Sequence, residues 1–373
     1  MIIGVPKEIK EGEFRVALVP LGVTRLVADG HSVLIETAAG HAAGFPDADY
    51  VAAGATIVPD MAAVYAQADM VMKVKEFLEP DLRLMRENQI LFTYIHSANR
   101  PEMTQTLLDR KVVAIAYEDM CDANGQFPLL TPMSEIAGEV GLLMGATYML
   151  TIHGGSGLLL GGAAGVAPAK VTVLGAGHAG IGAATAALGL GADVTIVDID
   201  LDKLRDIRTR TFPQATTLYS TRANVERVLP DTDLLVNAVK WRPGLTIVSR
   251  PMLKLMKPKA LIVDIDCEPN GAIETCQYTT HDDPIVEIDG IRHYCVANLP
   301  SAVAHTASLA LCNATLPHAV EIASKGWHQA ARDNATIRSG LDFALGLLTF
   351  KNTADAQNRP YTSPEKALDM LGD

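Results

Sequence analysis

Residues 171–198 read VTVLGAGHAGIGAATAALGLGADVTIVD. An apolar run at 171–174 enters Gly175-Ala176-Gly177-His178-Ala179-Gly180, an Ala-rich helical stretch follows, and a second apolar run at 194–197 ends on Asp198. Strand, G-x-G-x-x-G, helix, strand and acid in this order make the βαβ unit of a dinucleotide site. Gly175 permits the tight turn, Gly177 lets backbone approach a pyrophosphate, and Gly180 lets the helix pack close on the strand. His178 and Ala179 open the helix, whose N-terminal N–H groups suit phosphate. Asp198 can accept both ribose hydroxyls and would repel a 2′-phosphate, so NAD is expected rather than NADP, with no arginine beside Asp198 in the chain to meet that phosphate.

Around this unit the chain reads as α/β throughout. With 373 residues there is room for two domains. Strand-like runs fall at about 1–5, 32–36, 69–74, 90–95 and 112–116, and again at about 170–174, 192–197, 216–219, 233–239, 260–265 and 293–297. Alternation with helical stretches predicts two Rossmann-like, doubly wound parallel sheets with a cleft between them. Helices are expected at 305–323 and 334–348. The expected division is a discontinuous catalytic domain, 1–128 plus 306–373, and a nucleotide domain, 129–305.

Residues 140–169 carry no Asp, Glu, Lys or Arg, a length that could span a bilayer. Their many glycines argue instead for a buried helix to about Thr151 and a Gly-rich connection to the strand at 170. The net charge of −12, from 31 Lys+Arg and 43 Asp+Glu, argues against nucleic acid or an anionic membrane as partner. The five cysteines are scattered and form no CxxC, and the charged start is unlike a secretory signal. A reducing cytoplasm is the expected setting.

Three polar residues follow strands of the first domain. Lys75 ends the run Met72-Lys73-Val74-Lys75, where the two lysines are expected on one face; His96 ends 90–96; Arg15 follows the first strand. Ligands of open parallel sheets bind beyond the carboxyl ends of strands. Two cations and a histidine there suit a small carboxylate with a proton to move.

The chain resembles the alanine dehydrogenase branch of the alanine dehydrogenase/pyridine nucleotide transhydrogenase family. The resemblance is carried by GVPKEIKEGEFRVALVP at 4–20, MKVKE at 72–76, LFTYIHSA at 91–98, VAIAYE at 113–118 and TPMSEIAGEVG at 131–141. It continues through GGSGLLLGGAAGVAPAKVTVLGAGHAG at 154–180 and TTHDDPIVEIDGIRHYCVANLPSAV at 279–303. It implies that Arg15 and Lys75 bind the substrate carboxylate and polarise its keto or imino group, and that His96 is the general acid/base. Met133 would pack by the substrate and Ser134 would meet the nicotinamide side. Asp198 would hold the adenosine ribose, with Ser220 near it; Val239 would touch the cofactor, and Asn298 and Leu299 would line the cleft. The implied reaction passes the α-hydride of an L-amino acid to NAD and hydrolyses the imine to oxo acid and ammonia. The resemblance also implies a homo-oligomer, hexamer or dimer.

The chain departs from the family at 263–271, VDIDCEPNG, where Glu268 aligns with a catalytic aspartate of the pattern V-D-V-A-x-D-Q-G-G. Further departures are Asp266, Cys267, Lys240-Trp241 and Ala304-His305. Glu268 keeps the charge and adds one carbon of reach, so the substrate is open between L-alanine and another amino or imino acid, an opine-type secondary amine included. A nucleotide-binding transhydrogenase subunit is the reading from another class; His96 speaks against it. No metal is expected, and Glu118 and His328 read as a surface pair rather than as ligands of a divalent ion.

Overall fold

The computed structural model describes residues 1–242 and 244–372. Among them the strands are β1 (Ile2–Val5), β2 (Ser32–Glu36), β3 (Thr56–Val58), β4 (Met70–Met72), β5 (Ile90–Thr93), β6 (Val113–Ala116), β7 (Lys170–Leu174), β8 (Asp193–Asp198), β9 (Thr216–Tyr219), β10 (Leu234–Asn237), β11 (Leu261–Asp264), β12 (Ile285–Ile288), β13 (Ile291–Tyr294), β14 (Leu341–Ala344) and β15 (Leu347–Leu348). The chain divides into two compact units, Met1–Met133 with Val303–Asp373, and Ser134–Ala302.

The first unit holds one sheet in the order β15-β14-β6-β5-β4-β1-β2-β3. Strands β1 to β6 run parallel, and β4, β5 and β6 are buried at every residue, so they read as continuous apolar runs rather than alternating ones. The order reverses between β1 and β4, which makes that junction the switch point of the sheet. One expectation fails here. The helix at 334–348 is only Ala335–Ser339, and the remainder is a hairpin, β14 antiparallel to β6 and β15 antiparallel to β14. Leu345 and Gly346 both have positive φ, 50° and 92°, as a tight two-residue hairpin turn requires.

The second unit holds one sheet in the order β12-β13-β11-β10-β7-β8-β9. Without β12 this is the doubly wound dinucleotide order, with its switch point between β7 and β10. Strand β12 runs antiparallel to β13 through Asp289-Gly290, φ 52° and 82°. Each sheet therefore carries antiparallel pairing at one edge, where wholly parallel sheets were expected.

The charge-free stretch also differs from expectation. Helix Thr131–Tyr148 ends before Thr151, and Leu143 is exposed rather than buried. Its glycines serve close packing: a Cβ on Gly138 would stand 1.9 Å from the Ala179 carbonyl oxygen. Among the described residues no helix is long and apolar enough to cross a membrane.

Candidate functional site

In the second unit the glycine loop follows β7. Gly175 has φ 96°, and a Cβ there would lie 2.9 Å from the Ala238 carbonyl oxygen after β10. At Gly180 a Cβ would lie 1.9 Å from the Gly175 carbonyl oxygen, so only glycine fits that approach. Gly177 caps helix His178–Gly189, and a Cβ on it would meet nothing within 4 Å. That open space faces the turn whose first helical N–H groups have no intrahelical acceptor. His178 at the helix start lies 3.7 Å from Glu135.

Asp198 ends β8 and braces this loop: its Oδ2 accepts the Ala176 N–H at 2.5 Å and its Oδ1 the Asp200 N–H at 2.8 Å. A carboxylate has acceptor positions beyond these two, so ribose hydroxyls can still be bound. A cavity of about 500 Å³ opens beside it, lined by Gly175, Asp198, Ile199, Ser220, Arg222 and Val239 among others. The cavity has room for an adenosine, so the residues present fit the adenine half of a dinucleotide. The fold does bring an arginine to this cavity, which the local sequence around Asp198 did not reveal. Arg222 is paired with Glu226 at 2.8 Å.

In the first unit the functional side chains follow the carboxyl ends of neighbouring strands. Arg15 is on the loop after β1, Lys75 follows β4, His96 follows β5 and Glu118 follows β6. Arg15 is buried, and Glu13 grips its guanidinium edge-on, Nε to Oε1 at 2.7 Å and Nη2 to Oε2 at 2.6 Å. Its Nη1 points at the Met133 sulfur, 3.1 Å away. Glu13 holds the Nε/Nη2 edge of the fork, and a guanidinium can recognise a carboxylate in a bidentate way.

Lys73 and Lys75 do not share a role, because the strand ends at Met72. Lys73 is fully buried and paired with Asp81 at 2.7 Å, with Glu8 at 3.8 Å. Lys75 is half-buried, and the Glu8 carboxylate accepts the backbone N–H groups of Val74 and Lys75 at 2.6 and 3.3 Å. Burial, then the charges of Arg15 and Lys10, hold the Lys75 ammonium below its ordinary range. Two cations disfavouring each other in a dry site invite an anion.

His96 lies three residues beyond β5 rather than at its end, in the left-handed region with φ 51°. Its Nδ1 is 3.3 Å from Glu118 Oε1. Glu118 is no surface residue: its side chain is 11% exposed, against 47% for His96. His328 Nε2 donates to the Leu368 carbonyl at 2.8 Å, near the far end of the chain. Among the described residues no group of three or more His, Cys, Asp and Glu is placed to hold a metal.

The acids and the cysteine of 263–271 occupy four settings. Asp264 is buried, and Asn237 donates to it at 2.7 Å. Asp266 accepts the Trp241 N–H at 2.6 Å, so two of the unusual positions contact each other. Cys267 turns into the core with Cys276 and Cys295, the three thiols being within hydrogen-bonding reach of one another. Glu268 is exposed and accepts from the Tyr278 hydroxyl. In the first unit His305 stacks on Phe45 with ring centres 4.7 Å apart, and its Nδ1 meets the Ala43 carbonyl at 2.7 Å. Asn298 has φ 60°, and Leu299 is buried. Ser134 opens the second unit.

Burial raises the Asp264 carboxyl from 3.8 to about 7. The stability linked to its proton is complete below pH 3.8 and is lost as pH rises through about 7. Asp264→Asn removes that loss. Its stability relative to the parent protein, followed through the melting temperature, is expected to rise from pH 4 to about pH 7 and then level off, by on the order of a few kcal/mol in all. A difference that stays flat over this range would show that Asp264 does not titrate there.

Two family models match the chain, "Alanine dehydrogenase/PNT, N-terminal domain" over residues 4–137 and "Alanine dehydrogenase/PNT, C-terminal domain" over 141–351. The chain belongs to the alanine dehydrogenase/PNT family. The protein named alanine dehydrogenase of Methanococcus maripaludis is 46% identical, with 99% of this chain and 100% of the relative covered. That of Bacillus subtilis strain 168 is also 46% identical, with 99% and 98% covered. A solved structure titled L-alanine dehydrogenase superposes with a TM-score of 0.92 at 42% identity, covering 96% of this chain and 99% of that one.

The sequence reading assigned no role to Glu13 or Glu8 and offered Glu118 only as half of a surface pair with His328. Glu118 was accessible to the same logic that found His96, an acid directly after an apolar strand. Glu13 and Glu8 lie in the quoted segment 4–20, and only the fold shows that they grip Arg15 and the 74–75 backbone.

Proposed function

We propose that the protein is an NAD-dependent amino-acid dehydrogenase whose substrate is L-alanine, converted reversibly to pyruvate and ammonia. The observation that carries this reading is the placement of Arg15, Lys75 and His96 beyond three parallel strands that flank a switch point, in a chain of this family. Arg15 binds the substrate carboxylate through its guanidinium. Lys75 donates to the keto or imino group, and an arriving anion favours its ammonium form, which burial and the neighbouring cations disfavour. NAD supplies the hydride acceptor when bound. Gly177 and the helix after it receive its pyrophosphate, and Asp198, Ser220 and Val239 its adenosine side. His96 takes a proton from the water that adds to the imine carbon and returns one to the departing amine. Glu268 stabilises the iminium charge.

A different amino or imino acid is the second reading, favoured by the Asp266–Trp241 contact and the exposed Glu268. A screen of oxo acids with ammonia or amines, followed by NADH absorbance, tests both. Pyruvate with ammonia is expected to give the highest kcat/KM, with NADH strongly preferred to NADPH. Another oxo acid in first place would move the substrate, and comparable NADPH rates would remove Asp198 as the selector. Asp198→Ala with Ile199→Arg is expected to relax the preference.

We also infer self-association. Ile152, Leu159, Val166 and Leu190 are exposed at 83%, 65%, 62% and 44%, and Gly161 abuts the Leu190 carbonyl, so these apolar side chains border one surface of the second unit. All five cysteines are free, which suits a cytoplasmic setting.

A further inference from the structure

We propose that Glu118 is a positioning residue for His96: its carboxylate holds both the backbone and the ring of the histidine, so that Nε2 is the nitrogen offered to the substrate. The inference rests on the reading of His96 as the proton carrier.

The register of the sheet brings the two residues together. Strands β5 and β6 are parallel neighbours with Thr93 beside Ala116, so the segments that follow them emerge side by side. Glu118 Oε1 accepts the His96 N–H at 2.6 Å and the Ile95 N–H at 2.9 Å, and Oε2 reaches Ile95 at 3.2 Å. The same Oε1 lies 3.3 Å from His96 Nδ1. Three contacts from one carboxylate hold His96 in a left-handed conformation that a residue with a Cβ adopts at a cost. The carboxylate is mostly buried while the imidazole is half exposed, so one ring nitrogen is engaged and the other edge is open.

A carboxylate at Nδ1 places the ring proton there and leaves Nε2 as the base. In deamination, water adds its oxygen to the substrate C=N carbon, one O–H bond breaks, and that proton goes to Nε2. The imidazolium so formed keeps its Nδ1–H toward Glu118, whose charge stabilises it. No electron pair leaves the substrate in this step.

Other groups face the pair. The Tyr94 ring stacks on His96 at 6.1 Å, but its hydroxyl is committed to the Leu129 carbonyl at 2.7 Å. Asp342, a buried carboxyl on β14, lies near Asp119 and Glu118, and burial first and then these two acids push it well above the usual range.

Glu118→Gln keeps an oxygen for the backbone N–H groups and removes the charge. Its kcat is expected to fall about 10- to 100-fold with KM for the oxo acid nearly unchanged. The acid limb of the deamination kcat/KM profile should move to lower pH by roughly half a unit or more, because the imidazolium has lost its partner. Glu118→Asp should recover the position of the limb. A Gln variant with parental kcat and limb, or one whose kcat falls while the limb stays put, would overturn the proposal. Nitrogen NMR of the His96 ring in the parent protein reads the tautomer without any substitution at Glu118; a neutral ring protonated at Nε2 would overturn it as well. His96→Ala, assayed alongside, separates the two layers. An active His96→Ala sinks the reading beneath the proposal, whereas an inactive one beside a normal Glu118→Gln sinks the proposal alone.

Discussion

Replacing His96 by alanine is expected to lower kcat by about 10²- to 10⁴-fold while NADH binds nearly as before. The histidine belongs to the first unit, and the glycine loop, Asp198 and the adenosine cavity belong to the second. The substitution therefore leaves unchanged every residue proposed to hold the adenosine and pyrophosphate. The ring is half exposed and its Nδ1 is beside Glu118, an arrangement suited to proton transfer through the other ring nitrogen. Stopped-flow binding of NADH and steady-state rates on the same preparation check both halves of the statement. A variant that keeps most of its turnover removes His96 from the proton transfer. A variant that loses NADH binding in proportion to kcat points to a folding defect instead.

Neutralising Glu268 is expected to abolish most turnover, whereas Glu268→Asp should change the ranking of substrates more than it lowers the best rate. A carboxylate next to the developing iminium acts through charge, and charge is what Gln removes. The longer side chain shifts the charge by about 1.5 Å, and misplacement on that scale can cost about a hundredfold. The local structure favours Glu268 over its neighbours. Asp264 is buried against Asn237, and Asp266 is bound to the Trp241 N–H, while Glu268 is exposed with only Tyr278 on it. Rates of Glu268→Gln, Asp266→Asn and Glu268→Asp over a panel of oxo acids decide the matter. Unchanged kcat for Glu268→Gln beside a dead Asp266→Asn would transfer the role to Asp266. If no single neutralisation mattered, a mechanism with activated water would have to be given up.

The sequence of this protein determined whatever depends on local spacing. The βαβ unit at 171–198, the apolar strands buried on both faces and the helix Ala304–Lys325 each follow from periodicity or from a turn that only certain residues allow. The order of Arg15, Lys75 and His96 after three strands was legible too, although β4 and β5 end before Lys75 and His96 and Arg15 lies farther along the loop after β1. The edge hairpin β14–β15 was not legible. Leu341–Leu348 is as apolar as a helix core, and what makes it a strand pair is the open edge of β6, which is more than two hundred residues away in the chain. Lys73 and Lys75 looked alike for the same reason. Their separate roles come from Asp81, in the helix Glu79–Leu84, and from Glu8, on the loop after β1.

Partnerships of charge were decided by tertiary structure alone. Glu13 on Arg15, Glu118 on His96, Arg222 on the adenosine cavity and the meeting of three scattered cysteines depend on where loops emerge from neighbouring strands. Backbone propensity acts over a few residues, so it leaves a trace in the order of amino acids. Electrostatic pairing acts through space, and it becomes defined only after the sheet order has placed the strand ends side by side.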